Sequence, residues 1–414
     1  MSLNQAKKDF PIFTHDESLI YLDNAATTQK PASVIDAMTH YYSHINANVG
    51  RSVHKLSNRS HEAYEASRQT LARFINAASS DSIVFTKGTT EAINFVAQNF
   101  ARRRLEQGDE IVVTGMEHHS NLLPWQTACQ EAGATLRVVP VDATTGRIRI
   151  EDYQALLSPR TRLVAIAHVS NVLGVTNPVK EMARLARERD IPVLIDGAQA
   201  IAHLKVDVQD LDVDFYCFSS HKMYGPQGIG VLYIHPRQME WLAPFQTGGG
   251  VAYGVNYERV THYMPAPQRF EAGTPNVAGA VGLARAADYL AALGLDAVRE
   301  HDHALFLHAA KQLGDLPGVQ LFGAPGEPGS ILSFGVRDLH PYDVGNHLNS
   351  FDIAVRTGVH CAIPLVDSLG VLGTVRMSFS VYNTQTDIDK VAEALVSIKP
   401  GQWTKEHPTS RFLH

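Results

Sequence analysis

Pro192-Val193-Leu194-Ile195-Asp196-Gly197-Ala198-Gln199 puts a carboxylate directly after four apolar residues and before a glycine. A short unbroken apolar run that stops at Asp-Gly reads as a strand covered on both faces, with a turn at its carboxyl end. An acid placed there must meet a cation or hydrogen-bond donors, because burying it unpaired costs about a few kcal/mol. Two readings fit Asp196: a cap at a strand-to-helix turn, or a partner for a protonated heterocyclic nitrogen.

The same pattern recurs outward along the chain, at residues 83–86, 111–114, 136–139, 163–167, 215–218 and 231–234. Helix-period stretches lie between several of these runs, at 91–104 and at 179–189, the latter after Pro178 at a plausible first turn. Strand alternating with helix predicts a mainly parallel sheet with helices on both sides, a doubly wound α/β domain. After about residue 280 the rhythm changes. Helical stretches at 280–292 and 296–313 precede short runs at 331–334, 353–356 and 375–379, and a capped helix follows at 386–398. This predicts a smaller α+β carboxyl-terminal domain, with residues 19–293 forming the large domain and 1–18 plus 294–414 the small one.

The chain has 414 residues, 44% hydrophobic and 19% charged, with a formal charge of −6, which suits a globular protein of two or three domains. No block of Lys and Arg is present to neutralise several phosphates at once, so nucleic acid and anionic membranes are not expected partners. Cys129, Cys217 and Cys361 lie far apart with no C-x-x-C pair, which argues against a disulfide framework or a zinc ribbon and for a reducing compartment. No metal is expected. The first ten residues contain no apolar stretch like a signal peptide, and no run approaches 18 uninterrupted apolar residues, so a cytoplasmic location is expected.

In an open α/β sheet, ligands bind outside the carboxyl ends of the strands, and polar residues collect there in this sequence. Lys87-Gly88-Thr89-Thr90-Glu91 opens a helix, where it could cradle a phosphate, or where Thr89 or Thr90 could simply be its cap. Glu117-His118-His119-Ser120-Asn121 and His168-Val169-Ser170-Asn171 follow two further runs. A histidine there could stack on an aromatic cofactor, ligate metal or cap a helix. Adjacent histidines in extended chain point opposite ways, which disfavours a shared metal.

Twenty-six positions after Asp196, the run ending at Phe218 leads into Ser219-Ser220-His221-Lys222-Met223-Tyr224-Gly225-Pro226. A lone Lys normally snorkels to solvent. Desolvated, it becomes a Schiff-base nucleophile. An imine-forming Lys and an Asp for a pyridinium are the two groups a pyridoxal phosphate site requires, and the Gly88 to Thr90 segment would supply its phosphate cradle. Cys129 falls in a helical pattern and Cys217 in an apolar run, so both read as buried structural thiols. Cys361 instead sits in a Gly-containing loop between the 353–356 run and Pro364, with Arg356 and His360 nearby to favour its thiolate. Gly225-Pro226-Gln227-Gly228-Ile229-Gly230 lacks dinucleotide-binding spacing and precedes a strand, so a nucleotide-binding protein is disfavoured.

Together Tyr21-Leu22-Asp23-Asn24-Ala25-Ala26, Gly88-Thr89-Thr90-Glu91, Glu117-His118-His119, Asp196-Gly197-Ala198-Gln199, Ser219-Ser220-His221-Lys222, Glu271-Ala272-Gly273-Thr274-Pro275-Asn276 and Arg356-Thr357-Gly358-Val359-His360-Cys361 resemble the class V aminotransferase superfamily. Within it they most resemble the cysteine desulfurases of the SufS and CsdA group, over nearly the whole chain and in the family's order. The resemblance implies a homodimeric fold type I pyridoxal phosphate enzyme. By position, Lys222 would carry the cofactor, Asp196 would meet its ring nitrogen, His118 would stack on the ring and Gln199 would bond the ring oxygen. Thr89, Thr90, Ser219 and His221 would hold the phosphate, with Thr274 contributed by the partner subunit. Asn171 and Arg376 would bind the substrate carboxylate, and Arg356 would line the entrance.

It further implies that L-cysteine becomes L-alanine while Cys361 receives a persulfide for a sulfur-acceptor protein, iron-sulfur cluster assembly being one route such sulfur serves. A selenocysteine lyase and a plain class V aminotransferase are the alternatives. Two positions depart from the group's usual pattern: Gly50, in Asn48-Val49-Gly50-Arg51, stands where a His is common, and Ser220 where a Gly is usual.

Overall fold

The computed structural model describes residues 3–50, 53–142, 145–324 and 329–398. In chain order the elements that build the site are β1 (Ile83–Thr86), α1 (Thr89–Arg103), β2 (Glu110–Thr114), α2 (Leu123–Ala132), β3 (Thr135–Val139), β4 (Thr161–Ala167), α3 (Val179–Arg187), β5 (Val193–Asp196), β6 (Phe215–Ser219) and β7 (Gly230–Ile234). They continue with α4 (Val277–Leu293), α5 (Leu295–Gly314), β8 (Val319–Phe322), β9 (Ile331–Val336), β10 (Arg356–Gly358), α6 (Ile363–Ser368), β11 (Thr374–Ser378) and α7 (Gln385–Ser397).

β1 to β7 form one sheet in the order β1-β7-β6-β5-β4-β2-β3. Only β7 runs against the others, pairing antiparallel with β1 and β6. The remaining pairs are parallel, so the expected mixed but mainly parallel sheet is what forms. Alternate residues of each strand serve opposite cores. Val112, Val164, Ile166, Ile195 and Tyr216 pack on one face with α3 and α4. Ile111, Val113, Leu163, Leu194 and Cys217 pack on the other with α1 and α2. Burial on both faces is why the inner strands β2, β4, β5, β6 and β7 read as continuous apolar runs, each inward Val, Leu or Ile contributing about 1.5–3 kcal/mol on leaving water. The 136–139 run, expected to be covered likewise, is instead the edge strand β3 and is mostly exposed.

A second, four-stranded sheet has the order β8-β9-β11-β10 and is antiparallel throughout. Leu305, Phe306 and Leu313 of α5 and Ile388 and Val391 of α7 cover it, packing on Leu332, Phe334, Val375 and Met377. α7 opens with a capping box in which Thr384 and Asp387 each satisfy the other's backbone N–H. The run expected as one strand at 353–356 is two. Ile353–Ala354 pairs parallel with Ile20–Tyr21, whereas Arg356 pairs with β11, so the chain changes partner at Val355.

We propose the division into 19–293 and 1–18 plus 294–414, its central boundary falling where α4 and α5 bend by 78°. At the amino end the packing crosses that division: Phe10 and Phe13, from 1–18, join the core of the large domain, and Ile20 and Leu22, from 19–293, join that of the small one. No single helix among the described residues is long and apolar enough to cross a membrane.

Candidate active site

The carboxyl ends of β2, β4, β5 and β6 converge on a cavity of about 250 Å³, closed on its far side by the loop after β10. A larger cleft of about 910 Å³ lies at the opposite, amino-terminal end of the same strands, beside Asp109, Thr161 and Pro192. The reactive side chains are all at the smaller one. Thr89, Thr90, His118, Asn171, Asp196, Gln199, Ser219, His221, Lys222, Arg356, Cys361 and Arg376 line it. Thr274 does not: it borders a separate cavity with Phe85, Lys87 and Glu271. Gly50 and Ser220 are also outside the lining; Ser220 is buried, and its hydroxyl occupies the space that a Cβ on Gly225 would need.

At the head of α1 the capping residue is Gly88, at φ 153°, which contributes no side-chain cap. The expectation that Thr89 or Thr90 might merely cap the helix therefore fails, because both lie inside its first turn. The Thr89 N–H donates to Ser219 Oγ at 2.9 Å, and the two hydroxyls are 2.8 Å apart. Thr90 Oγ1 lies 2.8 Å from Ser120 Oγ. The positive end of a four-turn helix, its backbone N–H groups and four hydroxyls thus face one spot, which suits a phosphate.

Asp196 ends β5, buried, with Oδ1 accepting from the Ala198 N–H at 2.9 Å. Burial raises its pKa, while the Ala198 bond and the charge of Lys222 pull the other way. Lys222 has its ammonium pushed down to about 8 by burial, against the attraction of Asp196. His118 accepts from the Ser120 N–H through Nδ1 at 3.0 Å, so the neutral ring carries its proton on Nε2. Burial, with Lys222, His119 and Arg376 nearby, holds its pKa at about 3. Gln199 donates to the Ala25 carbonyl at 2.8 Å. His221 is held neutral by burial, with a pKa of about 4.

On the opposite wall, Asn171 Nδ2 donates to the His360 carbonyl at 2.8 Å, and Arg376 Nη1 donates to the Asn171 carbonyl at 2.9 Å. Among the described residues Asn171 Oδ1 and Arg376 Nε are buried without a partner. Burial brings the Arg376 pKa down to about 10, so it stays cationic at neutral pH. Cys361 is exposed, and both His360 and Cys361 have positive φ, 51° and 53°. His360 does not supply the positive charge expected beside the thiol. It is buried, bonds Thr374 Oγ1 through Nε2 at 2.8 Å, and is held at a pKa of about 3.

Three residues here had no role in the sequence reading. Glu117 is buried, with its pKa pushed up to about 7 by burial, and accepts from the Thr114 hydroxyl, the Ala167 N–H at 3.0 Å and Asn121 at 2.6 Å. It ties the strand end bearing His118 to the one beside Asp196; its place just before His118 is the only clue the sequence held. Asp23 lies 3.4 Å from Arg376 and 3.8 Å from Arg356. His119 contacts the Cys361 loop. Among the described residues no three His, Cys, Asp or Glu side chains are grouped as a metal would need.

Pyridoxal phosphate fits these residues. A buried carboxylate short of partners suits a protonated ring nitrogen, a lysine of lowered pKa suits an aldehyde, and the uncapped start of α1 suits the phosphate.

The sequence profile described as aminotransferase class-V matches residues 20–391. The chain is 46% identical over 402 residues to a cysteine desulfurase of Synechococcus elongatus, covering 96% of this chain and 64% of that protein. It is 45% identical over 402 residues to a probable cysteine desulfurase of Halalkalibacterium halodurans, covering 96% and 98%. The crystal structure of the Escherichia coli cysteine desulfurase CsdA, in its S-sulfonic acid form, superposes with a TM-score of 0.89 at 38% identity, covering 96% of this chain and 98% of that one.

Proposed function

The chain belongs to the class-V aminotransferase family, and on that premise we propose that it is a pyridoxal-phosphate-dependent cysteine desulfurase, converting L-cysteine to L-alanine and leaving a persulfide on Cys361. One observation carries the reading. Cys361, on a loop of the second sheet, and Lys222 and Asp196, at strand ends of the first, line a single cavity of about 250 Å³.

When bound, pyridoxal phosphate supplies an aldehyde for the Lys222 amine and a sink for the electron pair released at the substrate Cα. Asp196 would hold the proton on its ring nitrogen, His118 would lie against the ring, and Gln199 would bond the ring oxygen. Thr89, Thr90, Ser219 and His221 would hold the phosphate at the start of α1. Arg376, whose buried Nε lacks a partner among the described residues, and Asn171, through the second hydrogen of its Nδ2, bind and orient the substrate carboxylate. Arg356 lines the entrance. Lys222, with its pKa near 8, takes the Cα proton as the neutral amine and returns it.

The Cys361 sulfur then attacks the substrate sulfur. An S–S bond forms, the Cβ–Sγ bond breaks, and its electron pair stays with the carbon skeleton, where protonation yields alanine. The thiol hydrogen lost from Cys361 is balanced by the one gained on carbon. An acceptor thiol, on a sulfur-acceptor protein, takes the outer sulfur in the next exchange. L-selenocysteine fits the same contacts, since only the chalcogen differs, and a reducing cytoplasm suits the carrier thiol.

A homodimer belongs to this reading. Thr274 lies outside its own chain's cavity, and a second protomer would let it reach the phosphate.

The test incubates the protein with pyridoxal phosphate and L-cysteine, then measures alanine together with the mass of alkylated Cys361. Wild type forms both products without a keto acid, and Cys361→Ala forms neither while still binding the coenzyme. A requirement for pyruvate, or undiminished alanine from Cys361→Ala, would refute the assignment.

A further inference from the structure

The histidine pair after β2 divides its work. His118 faces the cavity, while its neighbour turns the other way, toward the loop that carries Cys361. The His119 N–H donates to the Cys361 carbonyl at 2.7 Å, and the Ile363 N–H donates to His119 Nε2 at 3.2 Å. Two hydrogen bonds, one donated by the His119 backbone and one accepted by its ring, thus fasten the chain just after Cys361, on either side of Ala362.

That loop needs bracketing. His360 and Cys361 are consecutive residues in the left-handed region, at φ 51° and 53°, which L side chains avoid. Such a conformation persists only where the surroundings over-determine it. On the amino side of Cys361, Asn171 holds the His360 carbonyl and Thr374 holds the His360 ring. On the carboxyl side, the chain enters α6 at Ile363, whose N–H, at the start of a helix, has no intrahelical partner. His119 Nε2 is the acceptor it finds. Burial lowers the His119 pKa, which keeps that nitrogen free to accept.

We propose that His119 is a positioning residue, holding the Cys361 loop in the bent conformation that presents the thiol to the cavity, and coupling that loop to the turn that seats His118. The proposal rests on Cys361 being the sulfur carrier. It adds a residue that touches neither cofactor nor substrate yet decides where the carrier thiol stands.

The experiment compares wild type, His119→Ala and His119→Gln, since a glutamine amide oxygen can stand where Nε2 accepts. Two readouts are taken. One is the rate at which iodoacetamide alkylates Cys361 in the coenzyme-free and coenzyme-loaded proteins, followed by peptide mass spectrometry. The other is kcat and KM for alanine formation from L-cysteine. Losing one hydrogen bond is worth about a factor of five. In His119→Ala, Cys361 should be alkylated about fivefold faster and kcat should fall about fivefold, with KM within about twofold because Arg376 is untouched, whereas His119→Gln should restore both rates.

Unchanged alkylation in His119→Ala would overturn the proposal even if kcat fell. So would a glutamine variant that behaves like alanine. The alkylation arm needs no turnover, so a protein that formed no persulfide at all would sink the desulfurase reading while still reporting whether His119 holds the loop.

Discussion

Arg356 and Arg376 stand directly opposite one another in the antiparallel pairing of β10 and β11, and both guanidinium groups lean on Asp23, at 3.8 and 3.4 Å. Like charges at opposed positions repel, so a shared carboxylate is what makes the pairing tolerable. Two cations on one acid leave a surplus positive charge beside a cavity whose expected guest carries a carboxylate. Arg376 is buried and Arg356 half exposed, which separates their roles: one is set in the wall, the other stands at the mouth.

Replacing the buried member should therefore hurt binding more. Arg376→Lys keeps the charge and loses the planar fork. A charge-assisted hydrogen bond is worth about 1.5–3 kcal/mol, so KM for L-cysteine should rise about 10- to 100-fold in Arg376→Lys and less than about threefold in Arg356→Lys. Steady-state alanine formation reads both. An unaltered KM in Arg376→Lys would mean that the substrate carboxylate is held elsewhere.

Asp196→Asn asks whether the buried acid works through its charge or its shape. The amide retains an oxygen for the Ala198 N–H, so the turn should survive and the coenzyme should stay bound through dialysis. Turnover should fall about 10²- to 10⁴-fold, the range that loss of a positioned proton-holding group usually costs. Near-normal turnover with bound coenzyme would remove Asp196 from the chemistry.

The coenzyme-free protein should lose stability between about pH 6.5 and 4, and His168 should be one reason. Its imidazole is buried, with Nδ1 2.9 Å from the Tyr216 hydroxyl, and burial pushes its pKa down to about 4. The folded-state value is thus depressed below the unfolded one, so the unfolded chain binds the proton first as pH drops. Stability from this site is complete above about 6.5 and is lost as pH falls through the window to about 4, amounting to about 3 kcal/mol at most. His168→Asn keeps an atom for Tyr216 and cannot titrate. Urea midpoints measured across that window should fall less steeply in His168→Asn, and equal slopes would place the proton uptake at other buried histidines.

How much of this was legible in the sequence depended on whether a signal was local. The strands around Asp196 and Lys222 were readable because a sheet covered on both faces writes itself as an unbroken apolar run, and polar residues at the ends of such runs point to the site. The break at Val355 was not, since Ile353 and Arg356 differ only in which distant strand each one meets. Thr89 resembled a cap because hydroxyl residues open helices; it is Gly88, at φ 153°, that takes the position, and this frees the threonines. The Asp23 contacts to two arginines and the grip of His119 on the Cys361 loop join residues hundreds of positions apart, and no spacing rule announces them.

Gly230 shows how a residue with no side chain can control the phosphate end of the site. It pairs with Thr86 on one side and Ser219 on the other, between the two strands that deliver Gly88, Thr89 and Ser219 to the cavity. A Cβ there would lie 2.6 Å from Gly88 Cα and 2.6 Å from the Phe218 carbonyl oxygen, both backbone atoms that cannot rotate aside. Overpacking of this kind costs about 1–3 kcal/mol, and in Gly230→Ala it falls on the peptide that opens α1. The dissociation constant for pyridoxal phosphate should therefore rise about 5- to 100-fold. Pyridoxal, which has no phosphate for α1 to hold, should bind Gly230→Ala and wild type alike. Equal weakening of both ligands would show instead that the added methyl loosens the sheet as a whole.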